Sequence, residues 1–301
     1  LDVFFTSRLG ICNSVLLNLW KKKILIIPYY WIESTYKIFI KLETKKTLHT
    51  IPNFTYNLRF FNYNYNNYKP PIFLDDNQKN FCKEILKKQD IDIENIKFVC
   101  LFNRDHAYHN SSKYKKDWYY LSHQNYKINT FKKTAKKLAE RNIYVFRMGK
   151  TVEEKFDLDN FKVIDYANST YKSDLMDIYL ASNCLFGIHC GTGNAAIAIL
   201  FRKPLLDLTA TLHDLYTNFE NSILLTKHYY DKNKRRNLTL KEILNFKFNE
   251  VRLRQQFDEK NIEIIDCTED EIAEAALELL DRLERKWIDS KEILDLQNKF
   301  K

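Results

Sequence analysis

Four stretches place charged, aromatic or glycine residues just beyond short apolar runs. "KFVCLFNRDHAYH" sets Arg104, Asp105 and Tyr108 after a run ending at Phe102, and "IYVFRMGK" sets Arg147 and Gly149 at the end of a second. "FKVIDYA" ends in Asp165 and Tyr166, and "CLFGIHCGTGNAAIAILF" carries Gly191, Thr192, Gly193 and Asn194 ahead of small apolar residues. Arginine binds phosphate bidentately. A glycine turn opening a helix offers backbone N–H groups, and the helix dipole, to an anion. A carboxylate takes ribose hydroxyls and an aromatic ring stacks on a base. Together these groups ask for a nucleoside diphosphate. Arg104, Arg147 and residues 191–194 are the expected diphosphate ligands, and Asp165 and Tyr166 the nucleoside contacts. Tyr108, Gly149, Ser173 and Asp174 belong around the nucleoside or sugar, with Asp177 facing the same way one helical turn on. For a general base, Asp105 is the choice. His106 beside it, and His49 and Glu33 further upstream, are the alternatives.

The chain holds only 5 glycines in 301 residues, and three of them are Gly187, Gly191 and Gly193. Several sharper readings of that turn compete. "GTGNAA" fits G-x-G-x-x-A, but the dinucleotide fingerprint belongs to a first strand–helix–strand unit with an acid about twenty residues on. Here three strands precede the turn and Asp207 arrives too early. A P-loop fails because no Lys-Ser/Thr follows the glycines. A nucleophile elbow fails because His189 stands at the nucleophile position. A plain strand–helix turn with no ligand stays open.

The elements that must position these residues are legible as periodicity. From residue 97, strands "KFVCLF", "IYVFRM", "FKVIDYA", "CLFGI" and "PLLDLT" alternate with helices "YKINTFKKTAKKLAERN", "SDLMDIYLASN" and "NAAIAILF". Strands separated by helices of that length predict right-handed crossovers and a parallel sheet. Upstream, "KKKILIIPYYW" reads as a strand closed by Pro28, and segment 53–72 as an Asn- and Tyr-rich linker. A helix follows, capped by Asp75 or Asp76 with Phe81, Ile85 and Leu86 on its apolar face. Near the end come a strand "IEIID" and a long helix opened by a Thr268–Glu271 capping box. Its stripe of Ile272, Ala276, Leu279, Leu280 and Leu283 should pack on the sheet. The expected class is α/β, with a first unit over 1–95, a unit holding the parallel sheet over 96–250, and a strand and helices packing back over 251–301. Leu1–Val3 reads as the interior of an element, so the N-terminal domain is expected to be truncated, short of its first strand and loop.

Lysine and arginine number 48 against 39 acidic residues, a net charge of +9. The basic runs Lys21–Lys23, Lys132–Lys137 and Lys232–Arg236 are scattered among acids, which favours solvated faces. A basic nucleic-acid-binding protein is the remaining alternative of that kind. No run approaches the length of a membrane span. The six cysteines show no C-x-x-C spacing or zinc-ligand pattern, and point to a reducing compartment.

"FNRDHAYH", "VFRMGK", "VIDYANSTYKSDLMDIYLASNC" and "GTGN…FRKP" resemble the motifs of a family assigned as bacterial glycosyltransferases of capsule and O-antigen gene clusters. That family is similar in layout to the two-Rossmann-domain (GT-B) enzymes, which implies two Rossmann-like domains here, the acceptor-side one over 1–95 and the nucleotide-sugar-binding one over 96–250. The likeness covers residues 97 to 210 and, more loosely, the closing strand and helix. The glycine-rich loop expected after the first strand of such enzymes is absent. The resemblance implies a hexosyltransferase that moves sugar from a nucleotide-sugar donor to a glycan or lipid-linked glycan acceptor. It implies no cofactor and no metal, since no Asp-x-Asp signature is read as holding an ion with a diphosphate. It also implies a cytoplasmic or peripheral location at the inner membrane face, and no nucleic-acid partner. An epimerase or pyruvyl transferase acting on nucleotide-sugars is the alternative of similar architecture.

Overall fold

The structure, a computed structural model, describes residues 3–6, 11–28, 69–111, 119–208, 222–247 and 253–300. The expected linker lies mostly outside the described residues, as do His49 and Glu33. The chain opens with a strand–helix–strand unit: β1 (Val3–Thr6), α1 (Ser14–Lys21) and β2 (Leu25–Pro28). β1 and β2 pair in parallel, Val3 opposite Leu25. Asn13 caps α1 by accepting from the Leu16 N–H. Next comes α2 (Asp76–Lys87), where Asp75 and Gln78 form a capping box. It buries Cys82 and Leu86, while Phe81 is 55% exposed, off the face assigned to it.

A six-stranded sheet follows, made of β3 (Lys97–Phe102), β4 (Ile143–Met148), β5 (Val163–Ile164), β6 (Gly187–His189), β7 (Leu205–Asp207) and β8 (Ile223–Leu224). Their spatial order is β5-β4-β3-β6-β7-β8, and every pair is parallel. Connecting helices are α3 (Ala107–Ser111), α4 (Lys132–Glu140), α5 (Asp174–Asn183) and α6 (Ala196–Leu200). Strand order 3-2-1-4-5-6 from β3 onward is the doubly wound arrangement. The glycine turn follows the fourth strand of this sheet, as the motif argument required.

Side chains of β3 alternate between two cores, as a pleat with a two-residue period demands. Phe98, Cys100 and Phe102 join Met176, Tyr179 and Leu180 of α5, Cys82 and Leu86 of α2, and Leu19 of α1. Val99 and Leu101 join Leu138 of α4. The same second core takes Ile272, Ala276, Leu279 and Leu280 from α9, described below. Because α2 shares the sheet's core, the body around the sheet begins well before residue 96. Beyond it, β9 (His228–Asp231), β10 (Arg236–Asn237), α7 (Leu240–Asn245), α8 (Arg254–Asp258) and β11 (Ile262–Ile265) form a smaller layer. β11 pairs antiparallel with β9, so a boundary at 250 would divide a sheet. Helices α9 (Glu269–Leu283) and α10 (Lys291–Phe300) end the described chain. The Thr268–Glu271 capping box is formed.

Gly187 sits where β6 passes between its neighbours. A Cβ there would lie 2.9 Å from Leu205 Cδ2 and 3.0 Å from Phe102 Cε2. Gly187→Ala is therefore expected to cost about 1–3 kcal/mol by overpacking, read as a lower urea midpoint with an unchanged slope. An unchanged midpoint would show that the sheet yields there freely.

A cleft at the reversal of the sheet

In an open parallel sheet, ligands bind outside the carboxyl ends of the strands where the order reverses. Here that point lies between β3 and β6, whose last residues Phe102 and His189 are register partners. The chains leaving them are tied together. Arg104 N–H donates to Cys190 Sγ at 3.0 Å, and its Nη1 donates to the Gly191 carbonyl at 2.7 Å. Its Nε also donates to Asn125 Oδ1 at 3.3 Å. Burial lowers the Arg104 pKa from its usual value, though a guanidinium remains charged at neutral pH. Gly191 has φ +74°, a left-handed backbone that favours glycine.

Above this rim lies a cleft of about 740 Å³. Asn103, Arg104, Asp105 and Tyr108 line it from β3, with Gly149 and Lys150 from β4. Asp177, Thr192, Gly193 and Asn194 complete the sheet side. Ile11, Cys12, Asn13, Leu16, Leu17 and Trp20, in and before α1, make the opposite wall. Asp174 holds that wall in place: its Oδ2 accepts from Ser14 N–H at 2.7 Å and Ser14 Oγ at 2.8 Å. Its carbonyl accepts from Asn13 Nδ2 at 2.8 Å, and Lys150 donates to the Cys12 carbonyl. Burial opposes the Asp174 charge, but the Ser14 hydrogen bonds and Lys150 outweigh it and its pKa falls. Ser173 is the N-cap of α5, its side chain accepting from Met176 N–H.

Three features of the cleft have no internal explanation. Asn103 Nδ2 and Thr192 Oγ1 are buried with no hydrogen-bond partner. Leaving such a group unsatisfied costs about 1–3 kcal/mol. Gly193 lacks a positive φ, and a Cβ there would meet nothing within 4 Å. Neither conformation nor packing asks for glycine at 193; the missing side chain only opens the cleft. Gly149 differs, since a Cβ there would fall 2.5 Å from Val152 Cγ1.

Other expected ligands stand elsewhere. Arg147 is fully buried, with Nη1 3.2 Å from Asp165 Oδ1 and Nη2 3.6 Å from Asp105 Oδ2. It also donates to the Glu154 carbonyl. Position 147 shares its strand face with Ile143 and Val145, so its side chain runs beneath the 149–156 segment instead of onto the rim. Asp165 also accepts from Phe156 N–H and Asn168 Nδ2, which ties it to the fold rather than to a nucleoside. Tyr166 is wholly buried in the first core, its hydroxyl donating to Asp177 Oδ1 at 2.8 Å. Asp105 reaches the cleft, but its oxygens accept from Ala107 N–H and Glu153 N–H, an anchor's arrangement rather than a waiting base. The Gly191 N–H is turned inward onto His189 Nδ1 at 3.1 Å, and His189 Nε2 lies 3.2 Å from Asp207. Asn194 is not a cap. A 3-10 turn over Gly193–Ala195 leads into a helix of five residues, too short for a large dipole.

Asp177, given only a supporting place from sequence, is the cleft carboxylate with a perturbed proton affinity. Burial raises its pKa to about 6, opposed by the Tyr166 hydrogen bond. Asn103 was passed over because an asparagine after a strand carries no motif; its place one residue before Arg104 was the available signal. Asp157 and Asp159 do form an Asp-x-Asp pair, but both are exposed and outside the cleft lining. Among the described residues no cluster of His, Cys, Asp and Glu is arranged to hold a metal, and no helix is long and apolar enough to cross a membrane. All six cysteines are free, with Cys100 and Cys184 in the core as expected. Two of the three basic runs carry acidic partners, Lys133 with Asp270, Lys232 with Glu263 and Arg236 with Glu242. That fits solvated faces better than a nucleic-acid stripe.

A second cavity of about 370 Å³ lies across the β3 loop. Lys227 lines it, buried and donating to Asn125 O at 2.8 Å and Asp266 at 2.6 Å. Burial lowers the Lys227 pKa against the pull of Asp266.

Comparison with protein-family models found no match, and comparison with curated proteins found none. Among solved structures, the chain is similar to the dodecameric iron-containing heptosyltransferase TibC in complex with ADP-D-beta-D-heptose. The likeness has a TM-score of 0.29 and 12% identity, covering 63% of this chain and 45% of that one. This chain thus spans less than half the length of that protein, and the cleft must be read from its own residues.

Removing one partner of a buried ion pair strands the others. Arg147→Ala is expected to cost about 3–5 kcal/mol, while Arg104→Ala costs less than half as much, compared by urea unfolding. Equal losses would erase the distinction between the two arginines. Asp177 carries a linked pH dependence. Its folded value, about 6, lies above the ordinary 3.8, so its contribution is fully present below pH 4 and lost as pH rises through 6. Asp177→Asn keeps the oxygen that accepts from Tyr166 without the charge. It should be more stable than wild type by on the order of 2 kcal/mol at pH 8, with the gap closing by pH 4. A gap independent of pH would contradict this.

Proposed function

We propose that the chain is a glycosyltransferase that moves a sugar from a nucleotide-sugar donor to a surface-polysaccharide glycan or lipid-linked glycan. One observation carries the reading. At the reversal of a doubly wound sheet, Arg104, Asn103, Thr192 and an unobstructed Gly193 line one large cleft, and among the described residues Asn103 Nδ2 and Thr192 Oγ1 find no hydrogen-bond partner. Groups buried without partners are retained at a cost in stability, and a ligand that satisfies them restores that free energy on binding.

The hard step of such a transfer is departure of the nucleoside diphosphate as the glycosidic bond breaks. Arg104 and Thr192 would face that developing negative charge in a partly dry site, where fixed charges and dipoles act strongly. Gly193 would let the diphosphate approach the backbone. Tyr108 and Asn194, which also line the cleft, are placed for contacts along the sugar. The apolar α1 wall would shield the reacting centre from water, and the acceptor would enter along it. Metal independence belongs to this reading, with Arg104 in place of a divalent ion. So does work at the inner face of the cytoplasmic membrane. Arg147 contributes indirectly, by holding Asp105 and the segment after Gly149.

Thermal unfolding with UDP-, GDP-, CMP- and ADP-sugars tests the proposal. A ligand at a hundredfold excess over Kd stabilises by about 2.7 kcal/mol, so at least one donor should raise Tm by several degrees. Gly193→Val, whose added Cβ meets nothing within 4 Å, should abolish the rise while leaving the unliganded Tm unchanged. No response to any nucleotide-sugar, or one that survives Gly193→Val, would refute the assignment. Analysis of the products separates transfer from epimerisation or pyruvyl transfer.

A further inference from the structure

We propose that Asp177, rather than Asp105, accepts the proton of the attacking acceptor hydroxyl, a role that rests on the nucleotide-sugar reading above. The placement follows from topology. In a right-handed crossover the helix begins at the carboxyl edge of the strands, so the first turn of α5 stands at the rim that Arg104 and the glycine turn occupy. Helix α5 also takes the docking contacts of α1, through Asp174, on the wall where an acceptor would enter. Asp177 therefore sits between the entry wall and the donor rim.

Its hydrogen bonding leaves it ready for the task. Oδ1 is fixed by the Tyr166 hydroxyl at 2.8 Å. Among the described residues no hydrogen bond reaches Oδ2, and Asp177 lines the cleft. Asp105 and Asp174, the other carboxylates lining or bordering the cleft, are spent on backbone N–H groups. The groups acting on Asp177 are Tyr166, Asp174, Lys172 and Lys150, and it acts in turn on the buried Cys100 thiol of β3. Arg104 and Asp105 lie along the same cleft. Met148, Leu16 and Ile197 line the same cleft, and burial holds the Asp177 carboxyl at about 6, which suits a base that must ionise near neutral pH. In the reaction the acceptor O–H bond breaks and its proton passes to Oδ2. The oxygen's electron pair forms the new bond to the anomeric carbon. The bond from that carbon to the phosphate oxygen breaks, and its pair leaves with the nucleoside diphosphate. Solvent later removes the proton from Asp177.

The test follows release of nucleoside diphosphate from UDP-, GDP- and ADP-hexoses between pH 5 and 9, with water or added glycan as acceptor. Thermal shift by the same compounds is measured in parallel. Wild type should show an acid limb near pH 6. Asp177→Asn should lose at least 100-fold in kcat, and the limb with it, while the thermal shift persists. Tyr166→Phe removes a hydrogen bond that favours the charged form, so it should move the limb to higher pH and keep most of the plateau rate. The assignment is overturned if Asp177→Asn binds donor and retains the wild-type rate and limb, or if Asp105→Asn removes the limb instead. Failure of wild type to bind any nucleotide-sugar would sink the underlying function as well, and the thermal shift distinguishes that outcome.

Discussion

Everything in the site depends on one constraint of chain tracing. β3 pairs in parallel with β4 on one side and β6 on the other, and the crossovers from this pair run in opposite directions. No helix can cover the carboxyl ends of both strands, so a crevice opens above Phe102 and His189. The two loops that border it are then tied by Cys190 Sγ, which accepts from the Arg104 N–H, and by the Arg104 side chain, which reaches from the end of β3 to the Gly191 carbonyl. Those hydrogen bonds fix the rim before any ligand arrives, and pre-organisation of this kind lowers the cost of binding.

The two arginines separate local chemistry from tertiary placement. Both follow apolar runs and both precede polar loops. Arg104 lies beyond the last paired residue of β3, where the chain has already turned out of the sheet. Arg147 is still inside β4, on the face of Val145, and is sealed by the chain that returns over it. Two carboxylates compensate its charge, which makes it a structural post. Asp165 is drawn into the same post, and Tyr166 into holding Asp177. The cluster therefore organises the rim from below instead of forming it.

Much of the fold was legible for physical reasons. β3 and β4 are buried on both faces and read as continuous apolar runs. α9 announces itself through Thr268 and Glu271 and an apolar stripe that lands on the sheet as expected. The glycine turn was legible as a candidate site because the chain uses glycine so sparingly, and Gly193 is where that economy has no internal cause. Less could be read where tertiary packing decides. β9 and β10 are short, and the pairing of β9 with β11 spans more than twenty residues of intervening chain. The wall made by α1 could not be anticipated, because its docking runs through Asp174, 160 residues away. The hydrogen bonds of Asp105 could not be read either, since only the folded backbone shows which N–H groups its oxygens meet.

The central claim is that a diphosphate sits at the reversal of the sheet, and a crystal structure with a bound nucleoside diphosphate tests it most directly. The account predicts phosphate oxygens within hydrogen-bonding distance of Arg104 and Thr192, against the open face of Gly193, with Arg147 still buried between its carboxylates. A diphosphate held beside Lys227 in the second cavity, or spread over surface lysines with the cleft empty, would contradict it.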